Sequence, residues 1–117
     1  MLLAWSNPRL KVCCVSRAHL QRAAGGFAEA AEDLLHVVSQ APRLEALGTF
    51  RSVYVGLHAG ALTLAIEEVE MHALPLGPAG DPRHIRNRAS LLEYSTTDSL
   101  LVQDLQVRGQ SVLELGE

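Results

Sequence analysis

The sequence predicts an α+β fold in which an N-terminal short strand and a two-helix antiparallel pair pack on a twisted antiparallel sheet. Two observations carry this prediction. The spacing of apolar residues is helical, near 3.6, up to Gly48 and becomes 2 after it, and three alternating runs then follow without a helix between them. The chain has 117 residues, of which 48% are hydrophobic and only 4% are aromatic. This length and composition predict one domain, residues 1–117, with an aliphatic core.

A short strand and a first helix open the predicted fold. Residues 2–5 form the strand. Asn7 followed by Pro8 is a typical helix start, because asparagine caps the first turn and proline lacks an N–H group where none is needed. The helix is predicted to run to about Ala24. Gly25-Gly26 then ends it, since glycine favours the backbone conformation found after helices.

The second helix has the clearest pattern in the chain. Apolar residues repeat at i, i+3, i+4, i+7 and i+8 from Phe27 to Val38, which is the spacing of a helix with one buried face. Pro42 ends this helix, and Leu44 and Leu47 indicate one further helical turn. Two helices joined by two glycines are predicted to pack as an antiparallel pair.

Three strands connected by short turns follow. Residues 53–57 and 62–66 alternate between apolar and other side chains around an Ala59-Gly60 turn, which is a β-hairpin pattern. A third alternating run, residues 69–73, comes after a bend or bulge at Glu67-Glu68. The three strands are predicted to form an antiparallel meander, covered by the helix pair on one face and more open on the other.

The last third of the chain is less regular. Glycine, proline and arginine predict a loop over residues 77–90. Residues 91–94 are ambiguous, and a short strand is one interpretation. A final strand is predicted over residues 100–107, and residues 112–115 extend or repeat it beyond Arg108-Gly109.

Composition and charge narrow the class of protein. Cys13 and Cys14 are neighbours, match neither a disulfide framework nor a C-x-x-C metal motif, and are expected to be reduced thiols. The net charge is −3, but residues 1–22 carry four basic and no acidic residues, while the remainder holds six basic and thirteen acidic ones. A basic end on an acidic body favours contact with an anion or an acidic partner; ordinary solvated helix charge is the alternative. No apolar run approaches the ~20 residues of a membrane span and no signal peptide is recognisable, so a cytoplasmic location is expected.

Several segments resemble, in type and order, those of one known family. They are Trp5-Ser6-Asn7-Pro8-Arg9-Leu10-Lys11 with Cys13, Leu20-Gln21-Arg22-Ala23, residues 27–38, Ala41-Pro42-Arg43-Leu44-Glu45-Ala46-Leu47, Gly60-Ala61-Leu62-Thr63-Leu64-Ala65-Ile66 and Gly77-Pro78-Ala79-Gly80-Asp81-Pro82. Through them the chain resembles the RelE/ParE superfamily of toxin–antitoxin toxins, nearest the plasmid-maintenance killer (HigB-like) branch. The resemblance covers most of the chain and consists of hydrophobic pattern and helix-start motifs.

The resemblance implies an activity and partners. Ribonuclease members of this family cut mRNA in the ribosomal A site without a metal or another cofactor. A base helps the ribose 2′-OH attack the adjacent phosphate, and cationic side chains stabilise the charge of the transition state. The implied partners are a cognate antitoxin, the ribosome and mRNA, with no membrane, and a homo-oligomer formed through the antitoxin complex is a further expectation.

The chain departs from the family pattern at positions that carry this chemistry. Leu57-His58-Ala59 stands where the family has a Leu-Lys-Gly-like segment, Met71 or His72 stands near a usual arginine, and residues 114–117 lack a Tyr or His. Loss of a few kcal/mol of electrostatic stabilisation corresponds to about 10²–10³ in rate. A catalytically degenerate partner-binding or dimerisation module is therefore the alternative to an active endoribonuclease, and an α+β domain unrelated to toxins is a third interpretation.

Two histidines and an arginine are the predicted catalytic residues. If the strands that carry His58 and His72 show the same face, the two imidazoles can transfer protons near neutral pH; histidines facing water at strand edges are the alternative. Arg51 opens the first long strand and is expected to face the same cleft. A zinc site from His58, His72 and Glu70 matches no known ligand spacing, so no metal is predicted. Six other basic residues are predicted to bind RNA, and the helical ones alternatively an acidic antitoxin segment: Arg9, Lys11, Arg17, Arg83, Arg86 and Arg88.

The sheet is also predicted to bind the antitoxin. The apolar alternation over residues 53–57 and 62–66 exceeds what one helix pair obviously covers. An extended or helical antitoxin segment is therefore expected on this face of the sheet.

Overall fold

A computed structural model describes residues 1–87 and 91–115 and confirms the α+β fold. The strands are β1 (Leu2–Trp5), β2 (Tyr54–His58), β3 (Ala61–Ile66), β4 (Val69–Pro75), β5 (Ser99–Val107) and β6 (Gln110–Ser111). The helices are α1 (Pro8–Val15), α2 (Arg17–Ala24), α3 (Ala28–Gln40), α4 (Leu44–Leu47) and α5 (Val112–Leu115), with 3₁₀ turns at Gly25–Phe27 and Leu92–Tyr94. Across the described part of the chain, no helix has the length and apolar character needed to cross a membrane.

The six strands described form one mixed sheet. Its order is β1-β5-β4-β3-β2, and β6 pairs with the end of β5. β2 to β5 are antiparallel neighbours, which confirms the meander. β1, however, runs parallel to β5, with Leu2 opposite Ser99 and Trp5 opposite Val102. The sequence predicts an antiparallel sheet and gives the first strand no partner in it. The long connection between β1 and β5 through the helices permits this parallel pair.

Two-residue turns set the register of the meander. Ala59 and Gly60 connect β2 to β3 with φ values of 52° and 83°, which is the pattern of a type I′ hairpin turn. Glu67-Glu68 connects β3 to β4 with a φ of 54° at Glu67, so the predicted bend is a tight turn. The bulge of the sheet lies elsewhere, between β4 and β5, where the pairing shifts between His72 and Ala73.

Ser16 divides the first predicted helix into two. Its backbone is extended (φ −97°, ψ 114°), which ends α1, and its Oγ accepts a hydrogen bond from the N–H of His19 in α2. Serine competes with the helix for backbone hydrogen bonds and favours helix starts, a signal that apolar spacing does not contain. Asn7 caps α1 as predicted, accepting a hydrogen bond of 2.9 Å from the N–H of Arg9. The second helix and its extra turn are confirmed as α3 and α4.

The ambiguous segment before β5 is a 3₁₀ turn, and the short strand suggested there is wrong. The carbonyls of Ser95 and Thr97, just after this turn, accept hydrogen bonds of 2.8 Å from the N–H groups of Glu45 and Leu44. The segment thus satisfies the first turn of α4, whose N–H groups have no partner within their own helix.

The segment after β6 is also helical, so the predicted strand over residues 112–115 is wrong. Ser111 Oγ accepts a hydrogen bond of 3.2 Å from the N–H of Leu113, which caps the start of α5. Val112 is fully buried and α5 packs against α1 and α2.

The helices cover one face of the sheet. The residues of β3, β4 and β5 on that face are buried: Leu62, Leu64, Ile66, Val69, Met71, Ala73, Leu105 and Val107. Leu10, Leu34 and Val38 from the helices join them in one aliphatic cluster. On β2, Val55 and Leu57 are half-buried against the same cluster. The uncovered apolar face on which the predicted antitoxin contact depends is therefore not found among the described residues.

Candidate functional site

The face of the sheet turned away from the helices carries a cleft of about 300 Å³. The residues that line it come from β2 to β5: Tyr54, Leu57, His58, Thr63, Glu70, His72 and Gln106. Alternate residues of a strand point to the same face, so most of these side chains occupy the positions between the buried ones. We refer to this surface as the histidine cleft.

Both predicted catalytic histidines lie in the histidine cleft. His58 ends β2 and His72 lies within β4, two strands away. The centroids of the two rings are 6.4 Å apart and the rings meet edge to face at 75°. The condition set by the sequence, that both strands show their histidine on the same face, is met.

Strand register places a threonine between these two strands. On β3, Thr63 is opposite His72 on one side and opposite Gly56 on the other. The neighbours of Thr63 on the same face of β3 are Ala61 and Ala65, which have small side chains. Because these side chains are small, β3 leaves space between the two imidazoles.

Two buried polar atoms in the cleft have no hydrogen-bond partner among the described residues. They are Thr63 Oγ1 and His72 Nε2. His72 Nε2 lies 3.4 Å from Glu70 Oε2, a separation at which the carboxylate attracts a protonated ring without a well-formed hydrogen bond. Buried polar groups are nearly always hydrogen-bonded in proteins, so these two atoms, at paired positions of β3 and β4, have unsatisfied hydrogen-bonding capacity below the surface of the cleft.

Tyr54 forms a wall of the cleft by lying close over Gly56. A Cβ atom added to Gly56 would be 2.6 Å from the hydroxyl oxygen of Tyr54 and 2.7 Å from its ring carbon Cε1. Only glycine leaves this space, so the spacing Tyr-x-Gly on β2 holds the ring against the strand. Because 59% of Tyr54 remains exposed, the ring also presents surface to a molecule entering the cleft.

Gln106 forms the opposite wall and is held by Asp104. Asp104 Oδ2 accepts a hydrogen bond of 3.1 Å from Gln106 Nε2, and its Oδ1 accepts one of 2.7 Å from Ser111 Oγ and one of 2.9 Å from the N–H of Leu105. The carboxylate therefore has partners on both oxygens and orients the amide group of Gln106.

The described residues of the cleft include proton-transfer groups but no fixed cation. Glu70 is the one carboxylate among the described residues that line it, and neither lysine nor arginine is among them.

Arg51 is not among the described residues that line the histidine cleft. It is exposed in the turn that precedes β2, whereas the paired part of that strand begins at Tyr54. Outside the paired region, the alternation of strand faces no longer determines where a side chain points.

The basic residues of the helices are also distant from the cleft. Arg9, Lys11 and Arg17 are exposed on α1 and α2, which belong to the layer on the other face of the sheet. Arg17 Nε is 3.3 Å from Glu32 Oε1, and this ion pair joins α2 to α3. The structure does not bring these side chains together with the histidines.

The arginine-rich loop passes the end of the β2–β3 hairpin. The N–H of Ile85 donates a hydrogen bond of 2.8 Å to the carbonyl of Gly60, and Ile85 is buried. Arg83 forms an ion pair of 2.7 Å within the loop and Arg86 is exposed; neither lines the cleft. Arg88 lies outside the described residues.

Several lining residues are absent from the predicted site. Tyr54, Thr63 and Gln106 belong to no motif, and Glu70 enters the prediction only through the zinc alternative. The signal that finds Glu70 is strand alternation, which places it on the face of His72. Tyr54, Thr63 and Gln106 require the register between strands, which apolar spacing does not specify.

The other titratable groups of the described residues form neither a metal site nor an activated nucleophile. Within residues 1–87 and 91–115, no three His, Cys, Asp or Glu side chains are grouped so as to hold a metal ion. Cys13 and Cys14 are free and buried, as expected. Burial raises the pKa of Cys13, and burial, then the neighbouring Cys13 and Asp104, raise the pKa of Cys14 to about 12. Neither thiol is therefore activated as a thiolate at neutral pH.

Comparison with models of protein families, with characterised proteins and with solved structures found no match to this chain.

Proposed function

We propose that the protein is a toxin of the RelE/ParE type, a metal-independent endoribonuclease that cleaves mRNA on cytoplasmic ribosomes and is neutralised by a cognate antitoxin. The observation that supports this function best is the pair of imidazoles 6.4 Å apart on the open face of the sheet, with a carboxylate beside one of them. Attack of a ribose 2′-OH on its phosphate needs one group that accepts a proton and one that donates a proton.

In the proposed reaction His72 is the base and His58 is the acid. Neutral His72 takes the proton of the 2′-OH as the 2′-oxygen bonds to phosphorus, and Glu70, 3.4 Å away, stabilises the positive charge that the ring gains. Protonated His58 gives its proton to the 5′-oxygen as the bond from phosphorus to that oxygen breaks. The products are a 2′,3′-cyclic phosphate and a 5′-hydroxyl.

The ribosome has a supporting part in this proposal. Because the described lining of the cleft has no fixed cation, the cleft alone holds an RNA phosphate weakly. The ribosome supplies the missing positioning by presenting mRNA in one conformation, so cleavage of free RNA is expected to be slow.

Induced expression in a bacterial host tests the proposal. The wild-type chain is expected to arrest growth and to produce new mRNA 5′ ends in primer extension. His58→Ala and His72→Ala are each expected to lower cleavage by about 10²–10⁴-fold, the usual contribution of a general acid or base. His36→Ala, which removes an exposed histidine on α3, is the matched control and should keep full activity.

Toxicity that survives the double change His58→Ala and His72→Ala would exclude the histidine cleft as the active site. A cleavage product with a 3′-hydroxyl would exclude attack by the 2′-OH even if the histidines were essential. Both outcomes require that the variants show the far-UV circular dichroism of the wild type.

A partner-binding module without catalysis is the second candidate function. The lack of a lysine or arginine among the described residues of the cleft favours it, because transition-state charge would be poorly stabilised. In that case the folded wild-type chain causes neither growth arrest nor new mRNA ends, and its function lies in a complex with another protein.

A further inference from the structure

The strand β2 is a free edge of the sheet. Its neighbour on one side is β3, and no described strand lies on its other side. In an antiparallel pair, residues that exchange hydrogen bonds with the neighbouring strand alternate with residues whose N–H and C=O groups point away from it. The two-residue turn at Ala59-Gly60 makes His58 and Ala61 a hydrogen-bonded pair. The N–H and C=O groups of Val55 and Leu57 therefore point outward from the sheet.

No device among the described residues protects this edge. Sheet edges in natural proteins are commonly protected by a charged side chain, a proline, a bulge or a covering segment. The five residues of β2, Tyr-Val-Gly-Leu-His, include neither a fixed charge nor a proline, and the pairing of β2 with β3 has no register shift. Outside the sheet, Val55 and Leu57 have no backbone hydrogen bond to a described residue. Their outward groups are therefore available to another strand.

The edge is apolar as well as unpaired. On the face that the helices cover, Val55 and Leu57 are only half-buried, whereas their partners on β3, Leu64 and Leu62, are fully buried. On the other face, Tyr54 is exposed. These side chains lack neighbours because β2 ends the sheet, so a further strand at this edge would cover them.

We infer that β2 pairs with β2 of a second copy of this chain, in antiparallel orientation about a two-fold axis at Gly56. In this register Val55 of each copy exchanges hydrogen bonds with Leu57 of the other, so every outward group of both residues has a partner. A second copy fits because these groups lie symmetrically on either side of Gly56, which makes the edge complementary to itself. The half-buried valine and leucine of one copy then pack beside the leucine and valine of the other.

The same register makes the second copy part of the histidine cleft. It brings Tyr54 of one copy opposite His58 of the other, at a pair that does not exchange hydrogen bonds and whose Cα atoms are therefore only about 4.5 Å apart. At the axis the two Gly56 residues face each other. Neither has a side chain that would push against the Tyr54 ring lying over it. The tyrosine of the second copy thus lies beside His58, whether or not the cleft is a nuclease.

Amide hydrogen exchange of the full wild-type chain, measured by NMR at low and high micromolar concentration, tests this pairing. One short strand from each copy forms a contact smaller than the roughly 1,200 Å² of a standard stable interface, so we expect a reversible dimer. The amides of Val55 and Leu57 should exchange about 10-fold more slowly at the high concentration. The amide of Gly56, which faces β3, should be protected equally at both. Sedimentation velocity should show a monomer–dimer equilibrium over the same range.

Two variants of Val55 form a matched pair for the same measurement. Val55→Pro removes an outward N–H group and no hydrogen bond to β3, and proline is tolerated at such positions of an edge strand. It should weaken dimerisation about 10-fold or more. Val55→Thr keeps the N–H group and the branched shape and should dimerise nearly as the wild type does. Far-UV circular dichroism shows whether each variant is folded, and if Val55→Pro is not, the exchange of the wild type decides.

Disulfide formation between copies tests the register. Positions 54 and 58 are about 13 Å apart along one strand, at about 3.3 Å per residue, so cysteines there cannot be joined within one copy. An equal mixture of Tyr54→Cys and His58→Cys should form a cross-linked dimer under mild oxidation. Neither variant alone should do so.

Four results would overturn the inference. They are a wild-type chain that stays monomeric at every concentration, self-association that Val55→Pro does not weaken, equal exchange of the Val55 and Leu57 amides at both concentrations, and cross-linking of each cysteine variant alone but not of the mixture. A monomeric wild type that loses a different bound protein in Val55→Pro would assign the edge to that protein. None of these measurements uses ribonuclease activity, so their failure is distinct from failure of the proposed function.

Discussion

Replacing Gly56 by alanine tests the wall of the histidine cleft without touching a histidine. The added Cβ would lie 2.6 Å from the Tyr54 hydroxyl oxygen, about 0.8 Å closer than an ordinary contact of 3.4 Å. The backbone at Gly56 does not have positive φ, so alanine meets no backbone strain there. The strain falls on Tyr54, an exposed side chain that can rotate away.

The expected change in unfolding free energy is small and can be worked out from exposure. Tyr54 is 59% exposed. If the ring left the sheet entirely, roughly 80 Å² would return to water, a loss of about 2 kcal/mol at about 25 cal/mol per Å². Alanine is better than glycine within a strand by about 0.5–1 kcal/mol, because it restricts the unfolded chain. Gly56→Ala is therefore expected to destabilise the protein by about 1 kcal/mol.

The double variant Tyr54→Ala, Gly56→Ala provides the decisive comparison. Removing the tyrosine ring removes the three heavy atoms nearest to the added Cβ, so Gly56→Ala should then stabilise the protein by about 0.5–1 kcal/mol. Urea unfolding followed by circular dichroism measures all four members of the cycle. If Gly56→Ala has the same effect with and without Tyr54, the ring does not lie over Gly56, and the described wall of the cleft is incorrect.

Other consequences of the structure can be measured as stabilities. Burial raises the pKa of Cys14 from 9.0 to about 12. The thiol therefore loses its proton at a lower pH in the unfolded state than in the folded state. Its contribution to the free energy of unfolding is complete below pH 9 and is lost as the pH rises toward 12. Urea unfolding measures the free energy of unfolding at neutral pH and near pH 10. Between these two pH values the wild type should lose about 1 kcal/mol more of it than Cys14→Ala does. An equal loss in the two proteins would contradict burial of this thiol. Asn7→Ala should lower the unfolding free energy by about 1 kcal/mol and Ser16→Ala by less, because their hydrogen bonds to backbone N–H groups are 2.9 and 3.5 Å long. A Ser16→Ala variant more stable than the wild type in thermal unfolding would argue against the division into α1 and α2, because alanine favours an uninterrupted helix. Glu67→Gly should raise stability by about 1 kcal/mol, because Glu67 has a φ of 54° that costs a residue with a Cβ. Glu68→Gly, in the same turn without positive φ, is its control and should not stabilise.

The order of helices and strands follows from the local spacing of apolar residues. The pairing of the two histidines needs one further assumption, which concerns the face of each strand that packs on the core. Apolar spacing from Phe27 to Val38 and alternation after Gly48 predict α3 and the meander, because each pattern is imposed by one element packing on one core. His58 and His72 are then placed together if both strands use the same face for the core. The prediction of one helix up to about Ala24 failed because Ser16 ends α1 and caps α2 through a hydrogen bond. The spacing of apolar residues does not reveal such a bond.

What the sequence alone determined is therefore the α+β class, the approximate positions of α3 and of the β2–β3 hairpin, and His58 and His72 as a candidate pair. Only the tertiary structure decided that β1 runs parallel to β5, that residues 112–115 form a helix, and that Arg51 stays outside the cleft. The physical reason is that periodicity records which side of an element is buried, whereas strand direction, register and the packing of chain ends depend on contacts between residues far apart in sequence.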